Sequence, residues 1–406
     1  MREGNTSIEI KCITLLTQEK QCDEGKPECD GCLRHGVICV YGNSGQIRES
    51  SKQNKPEKPK PDLLADHITP FNFPPIIDND AIQFSFNSKG DVKAVKISLP
   101  ESKLRRKLEL RLLQNFIENT SQTFSACHNA VVREAWANDV PKVAFEHDNL
   151  LNQVFAISCL HLLRNSPDDA DLTVARQAYL SLSLNEQCEA VSRLDSSCAD
   201  AVCLASSLIL IDSFASLRDR PIVPYTPPLE WLQLARGAGS LYGVALSSIH
   251  NFEHSRIMNI AMAEPVLNDE RALFAESNRA GLMYLLSQDI PGEIWEFETE
   301  EAYKRTLAYL GGIQIAVDRG EHKLAVLRRM MAFALFVPKK FIVFVAERKP
   351  RALVILAHFF ALASNMEDIW WVGHTIRREV QGLWGVLPLD WLPMMRKPLV
   401  MTGLCT

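Results

Sequence analysis

The sequence predicts an all-α chain, with a large helical domain over residues 101–406, a small cysteine-rich module at 1–41 and a flexible linker at 42–100. Three observations lead there. From Leu104 onward apolar residues recur at helical spacing, and strong β alternation is rare. Five of the eleven cysteines fall within the first 39 residues. Between these zones lies RESSKQNKPEKPKP, from Arg48 to Pro61, too polar to bury a core and interrupted by prolines at 56, 59 and 61.

Composition sets the outer bounds. With 47% hydrophobic and 23% charged residues the chain can build a sizeable core, which excludes a wholly disordered, collagen-like or disulfide-scaffold protein. A net charge of −5 excludes a uniformly basic nucleic-acid coat. No apolar run reaches the ~20 residues of a membrane span. The best candidate, Ala352 to Ala363, is far shorter and contains His358. The opening MREGNTSIEIK lacks the pattern of a secretory signal. The expectation is a soluble intracellular chain with reduced thiols.

In that setting a cysteine cluster points to metal rather than to disulfides. The cluster comprises Cys12, Cys22, Cys29, Cys32 and Cys39. Its second half reads CDEGKPECDGCLRHGVIC, which is Cys22-x6-Cys29-x2-Cys32-x6-Cys39. A Cys-x2-Cys turn brings two thiolates to one side of a tetrahedral zinc, and the longer arms carry further thiolates round. Pro27 and Gly31 suit turns, and Gly36 suits the end of a short helix. Cys127, Cys159, Cys188, Cys198 and Cys203 lie in apolar stretches and read as small core residues.

The helical region is read in order. Leu104, Leu108, Leu112, Phe116 and Thr120 form a stripe of period four, widened by Leu113 and Ile117. Asn149 to Leu163 is almost wholly apolar and predicts a central buried helix, with Asp148 as its N-cap. Further helices are predicted at 171–195, 198–217, 228–246, 268–287, 299–318, 322–336, 350–364 and 369–386. Trp370, Trp371, Trp384 and Trp391 crowd one C-terminal stretch with Phe359 and Phe360, as core or as the lining of a ligand pocket. Arg348, Lys349 and Arg351 flank Pro350 and read as a solvated helix start, or as a contact for an acidic partner or ligand head group.

No catalytic constellation emerges, so no enzyme is expected. Gly237-x-Gly239-x3-Gly243 follows a helix-like run, WLQLAR, rather than a strand, so close helix packing explains it better than a phosphate loop. His147-Asp148 has no second ligand pair, and His128, His161, His358 and His374 are isolated.

Residues Cys22 to Tyr41 resemble the second half of the six-cysteine binuclear zinc cluster of fungal transcription factors, with Asp23-Glu24, Pro27, Gly36 and Tyr41 in place. Cys12 falls at that family's first cysteine position and Cys22 at its third, while Leu15 stands at the second and cannot ligate zinc. The resemblance implies that Cys12 and Cys29 bridge two metals. With Leu15 in the set, one tetrahedral site of Cys12, Cys29, Cys32 and Cys39 is implied, and a weaker one of Cys12, Cys22 and Cys29. The family carries basic, DNA-contacting residues between its second and third cysteines. Here that stretch is LTQEKQ, where Lys20 is the only base. Residues 1–61 hold ten Lys/Arg and nine Asp/Glu, a net of +1. The remaining DNA-contact candidates are Arg48 and Lys52, in the basic tract at 48–60. Since phosphate neutralisation supplies most DNA affinity, the expected grip is weak. Either the module has decayed, or residues 1–21 belong to a misjoined exon.

Most of residues 101–398 is similar to the fungal-specific regulatory domain of sterol-uptake-control-type regulators. The stretches that carry this are LLQNFIENTSQTFS, VPKVAFEHDNLLNQVFAISCLHLL, WLQLARGAGSLY, RKPRALVILAHFFAL and WWVGHTIRREVQGLW. Together the two resemblances imply a nuclear, zinc-dependent, DNA-binding transcription regulator. Its all-α domain dimerises and, in some members, holds an apolar ligand. A helical ligand-binding or protein-interaction regulator that has lost DNA binding is the alternative.

Overall fold

The computed structural model describes residues 102–248, 255–287 and 295–404. The chain divides into two units, Met1–Ala81 and Ile82–Thr406, and every described residue belongs to the second. The fold is all-α, and no strand occurs among the described residues.

Helix α1 (Lys103–Asn115) begins at Ser102, whose hydroxyl accepts the Arg105 N–H at 3.1 Å. Its stripe is buried only toward the C-terminal end. Leu112 and Phe116 are fully enclosed, whereas Leu104 is 80% exposed. A π-helical turn (Phe116–Thr120) and a 3-10 turn (Ser121–Thr123) follow without a break. Short helices α2 (Ala130–Glu134) and α3 (Val140–Ala144) flank a second π turn, Ala135–Asp139. Phe124 packs tilted against Phe116 and edge-to-face on Trp136, joining the two π turns, with centroids 6.1 and 4.9 Å apart.

Four long helices come next: α4 (Asp148–Asn165), α5 (Ala170–Ser192), α6 (Ala199–Ser216) and α7 (Leu229–Ser248). The expected helices at 149–163, 171–195, 198–217 and 228–246 are all present. Asp148 is not the cap of α4. Its backbone is already helical and extended His147 takes the cap position, so the carboxylate instead faces the positive end of the helix dipole. A polar layer ties α4, α5 and α6 together. The Asn149 amide donates to Gln187 Oε1 at 2.7 Å, and Gln187 donates on to Val202 O and Ser206 Oγ. By length and composition α6, and not the expected Ala352 to Ala363, is apolar enough to cross a bilayer. Two thirds of α6 is buried against its neighbours, and it carries Asp212 paired to Arg176 at 2.8 Å, as a core helix does.

The second half is built around one helix. It runs α8 (Met258–Ala261), α9 (Glu270–Leu273), a 3-10 segment (Glu276–Leu286), α10 (Phe297–Asp318), α11 (Lys323–Met331), α12 (Phe333–Phe336) and α13 (Lys339–Ala346). Then follow α14 (Pro350–Ala361), α15 (Thr375–Val386), a 3-10 segment (Leu389–Met395) and α16 (Arg396–Met401). Every residue of α14 from Arg351 to Ala361 is buried, so this apolar cylinder is the centre of the half. Helices α10, α13, α15 and α16 pack around it. One hydrophobic core runs from Phe116 to Met395, with a smaller cluster of Leu112, Phe155, Cys159 and Tyr179 between α1, α4 and α5.

Three expected helices are broken. The one at 268–287 splits because Asn278 Nδ2 donates to the carbonyls of Ala272 and Leu273 and closes off α9. The 3-10 segment after it lies so close to α10 that a Cβ on Gly311 would collide with the Asn278 carbonyl. The helix at 322–336 is interrupted at Ala332, and the one at 369–386 starts only at Thr375, after Gly373 at φ +46. Of the glycine run in α7, only Gly239 permits a close approach, to Leu335 of α12. Gly237 and Gly243 face open space.

Candidate functional site

The metal candidates Cys12, Cys22, Cys29, Cys32 and Cys39 and the DNA-contact candidates Lys20, Arg48 and Lys52 lie outside the described residues. Their chemistry can still be weighed. A two-zinc cluster uses six thiolates, and this module offers five, with Leu15 at the second of the six positions. The donors present fit one complete tetrahedral zinc. Among the described residues no group of three or more His, Cys, Asp and Glu side chains could hold a metal.

The described cysteines divide into two kinds. Cys127, Cys159 and Cys203 are buried, and burial pushes each thiol up to about 12, so they are inert core residues. Cys188 is exposed and Cys198 half-buried, against the reading of both as core. Both lie toward the turn between α5 and α6, where solvent reaches them.

The described domain has a cleft of about 500 Å³ between the start of α10, helix α13 and the turn into α14. Val343 and Phe344 form its apolar side, and Lys339, Lys340 and Lys349 its basic side. Glu296, Thr299 and Glu347 complete the lining. Lys349 Nζ lies 4.2 Å above the Phe344 ring and 3.3 Å from Glu347, while Lys340 pairs with Glu298 at 2.7 Å. One hint of this cleft is visible in the chain, the Arg348–Lys349–Pro350–Arg351 run. The Lys339-Lys340 pair ahead of the apolar FIVFV went unread.

Arg351 corrects the expectation of a solvated helix start. It is 1% exposed. Its Nη1 donates to Leu285 O and its Nη2 to Ser287 O at 2.8 Å. The guanidinium carbon sits 4.7 Å from the Trp295 ring centre, 4.9 Å from Trp391 and 5.9 Å from Tyr303. Three aromatic faces thus take the place of water around this cation. Trp370, Trp371 and Trp384, which the sequence groups with Trp391, make their contacts elsewhere. Trp371 is fully buried edge-on to Phe214, Trp370 stacks on His161 at 4.3 Å and donates to Thr123 Oγ1, and Trp384 is 46% exposed.

Two further buried polar groups shape the domain. Glu379 of α15 is enclosed and receives Arg220 Nη2 at 2.5 and 2.6 Å, Arg220 Nε at 3.2 Å and the Tyr225 hydroxyl at 2.8 Å. Burial raises the Glu379 carboxyl above its ordinary value, and Arg220 works against that rise. In α14, His358 Nδ1 donates to Val354 O at 2.9 Å, so its Nε2 accepts from the Tyr284 hydroxyl at 2.7 Å. Burial lowers His358 to about 4, which keeps this imidazole neutral.

Comparison with known proteins places both halves. Residues 17–47 match the fungal Zn(2)-Cys(6) binuclear cluster domain, a span that holds Cys22, Cys29, Cys32 and Cys39 but not Cys12. Residues 111–262 match the fungal specific transcription factor domain. A Zn(2)-C6 fungal-type transcription factor of Aspergillus fumigatus is 31% identical, over 88% of this chain and 86% of the relative. Another from Gibberella zeae is 26% identical, over 94% of this chain and 82% of the relative. Sterol uptake control protein 2 of Candida albicans is 21% identical, over 70% of this chain but only 40% of its own length. With a zinc-binding module at the N-terminus and an all-α domain behind it, the chain belongs to the Zn(2)-C6 fungal-type transcription factors, zinc-dependent DNA-binding regulators of transcription.

Proposed function

We propose that this regulator acts in the nucleus with a weakened DNA-binding module, and that its helical domain carries dimerisation and signal reception. One zinc is held by Cys12, Cys29, Cys32 and Cys39. Cys22 contributes to a second site that lacks a ligand at Leu15. DNA is met by Lys20, Arg48 and Lys52, in a segment whose bases are nearly cancelled by acids. The observation that carries this reading is the pairing of an intact Cys22-to-Cys39 spacing, inside the span matched as a zinc cluster, with the charge-poor LTQEKQ ahead of it.

Three points support the role of the helical domain. It is joined to the module through a polar linker. At the end of α15 it exposes Trp384, Val386 and Leu389, an apolar surface suited to a second copy of the chain. Its relatives include sterol uptake control proteins, which supports an apolar small molecule as the signal. The second reading, a regulator that has lost DNA binding, is favoured by Gln18, Glu19 and Gln21 standing where bases would be contacted.

Metal analysis of the purified full chain tests the zinc assignment. One tight zinc per chain is expected, and two tight zincs or none would overturn it. Light scattering at tens of micromolar tests the dimer, which a monomer there removes. Imaging of a fluorescent fusion tests nuclear location, which exclusion from the nucleus removes.

A further inference from the structure

Helix α1 carries its charges against its own dipole. Lys103, Arg105, Arg106 and Lys107 take four of its first five positions, and no acid lies in its first turn. The positive end of a helix dipole disfavours cations there, so local stability does not account for the arrangement. The composition of the domain does not account for it either. Residues 101–406 hold 31 Lys/Arg against 35 Asp/Glu, whereas Lys103 to Arg111 holds five against one.

The outer face of α1 keeps these charges available. Lys103, Lys107 and Arg111 are exposed and make no ion pair among the described residues. Their four-residue spacing places them along one face of the helix at steps of about 6 Å. Arg106 is exposed beside them. The acids of this region are engaged elsewhere. Glu109 pairs with Arg105 at 2.7 Å and accepts the Tyr179 hydroxyl at 2.9 Å. Glu118 accepts the Gln114 amide at 3.1 Å, and Asp169, which with Arg111 acts on the Cys159 thiol, caps α5 at Leu172 N. With Glu101 and Glu118 at the two ends counted, residues 101–118 still carry a net charge of +2.

This face does not suit an apolar partner or a lipid surface. Leu112 and Phe116 are committed to the core. The exposed leucines, Leu104 and Leu110, are six residues apart, so they lie about 120° apart around the helix and form no stripe. A row of bases without an apolar stripe fits a polyanion. The chain brings one with it. The zinc-cluster span lies ahead of α1 in the same polypeptide, so a duplex held by that module meets α1 at raised local concentration.

We propose that the outer face of α1 is a second DNA contact, in which Lys103, Lys107 and Arg111 take backbone phosphates and no base is read. It reinforces a duplex held by the zinc module, whose own bases are nearly cancelled by acids. The inference rests on the DNA binding of the chain and goes beyond the contacts assigned to Lys20, Arg48 and Lys52.

Fluorescence anisotropy of the zinc-loaded full chain over a salt series, on a CGG-type duplex and a scrambled one, tests it. The variant Lys103→Gln/Lys107→Gln/Arg111→Gln should bind at least about tenfold more weakly at low salt, and its slope of log K against log salt should be shallower by about 2–3. The loss should be the same on both duplexes, which reads α1 apart from any selectivity of the module. Lys103→Arg/Lys107→Arg/Arg111→Lys keeps the charges and should bind as the unmodified chain does. A control removing three other exposed bases, Lys142→Gln/Arg193→Gln/Arg377→Gln, should change the slope by less than about 1. An unchanged slope in the first variant, a control that loses as much, or tighter binding to phosphatidylserine vesicles than to DNA with the same dependence on these residues would each overturn the proposal. The three side chains are exposed, so the variant is expected to melt at an unchanged temperature.

Discussion

Replacing Arg220 by Ala removes the cation from an enclosed carboxylate and leaves Glu379 with the Tyr225 hydroxyl as its one remaining partner in this cluster. Five hydrogen-bond contacts go with it: Nε to one carboxylate oxygen of Glu379, Nη2 to both, and Nη1 to the Thr226 carbonyl and hydroxyl. Breaking one side of a buried pair costs about 3–5 kcal/mol, because the surviving charge stays out of water. At roughly 2–4 °C per kcal/mol for a domain of this class, the melting temperature of Arg220→Ala should fall by roughly 6–20 °C. The sign of the pH dependence is fixed as well. A carboxyl whose folded-state value is raised contributes stability below its unfolded value, and that contribution is lost as pH rises through the folded value. Arg220 opposes that rise, so its removal should deepen the loss, and Arg220→Ala should recover part of its stability on acidification toward the ordinary carboxylate range. Adding Glu379→Gln to Arg220→Ala should restore more than half of the deficit at neutral pH. Differential scanning calorimetry of the four proteins in the cycle provides the numbers. A deficit under about 1 kcal/mol, or no recovery with Glu379→Gln, would refute the claim that an uncompensated buried charge dominates.

Other expectations follow from the same packing. Gly382→Ala should destabilise the domain about as much as overpacking does, by about 1–3 kcal/mol, because its Cβ would fall within the Tyr225 ring. Phe359→Ala opens the centre of the aromatic core, where Phe359 stacks 4.2 Å from Phe333, and should cost about 3–5 kcal/mol by denaturant titration. His358→Gln should flatten the acid limb of the stability curve. Folded His358 stays neutral down to about 4 while the unfolded imidazole protonates near 6.5, so stability falls across that window, and the variant has no such proton to bind. A zinc chelator should leave the helical circular dichroism and the thermal transition unchanged, since the domain core holds no metal-binding group among the described residues.

Much of this architecture is legible in the sequence, and the failures have physical causes. Long amphipathic or apolar runs such as α4 and α10 declare themselves by period, because one face must be buried along its whole length. Helix α13 escaped notice because KKFIVFVA is short and β-branched, and only packing against α10 and α14 makes it helical. The break after Leu273 depends on the Asn278 side chain folding back five and six residues, which no periodicity records. The cage around Arg351 draws on Trp295, Tyr303 and Trp391, far apart in the chain, so an arginine at a helix start read as solvated. The zinc module is the opposite case, because the spacing of its cysteines is itself the signal and is written directly in the chain.

Zinc-dependent DNA recognition by a module short of positive charge has a distinctive binding signature. Fluorescence anisotropy measures this directly, using a duplex carrying a CGG-type half-site, the full chain with and without chelator, and a variant combining Leu15→Cys, Leu16→Arg, Gln18→Lys, Glu19→Arg and Gln21→Lys. The unmodified chain should bind weakly, with little preference over a scrambled duplex and with loss of binding on chelation. The variant should bind more tightly, with a steeper dependence on salt, because each added phosphate contact releases counterions. DNA binding indifferent to chelation, or tight and selective binding by the unmodified chain in moderate salt, would contradict it.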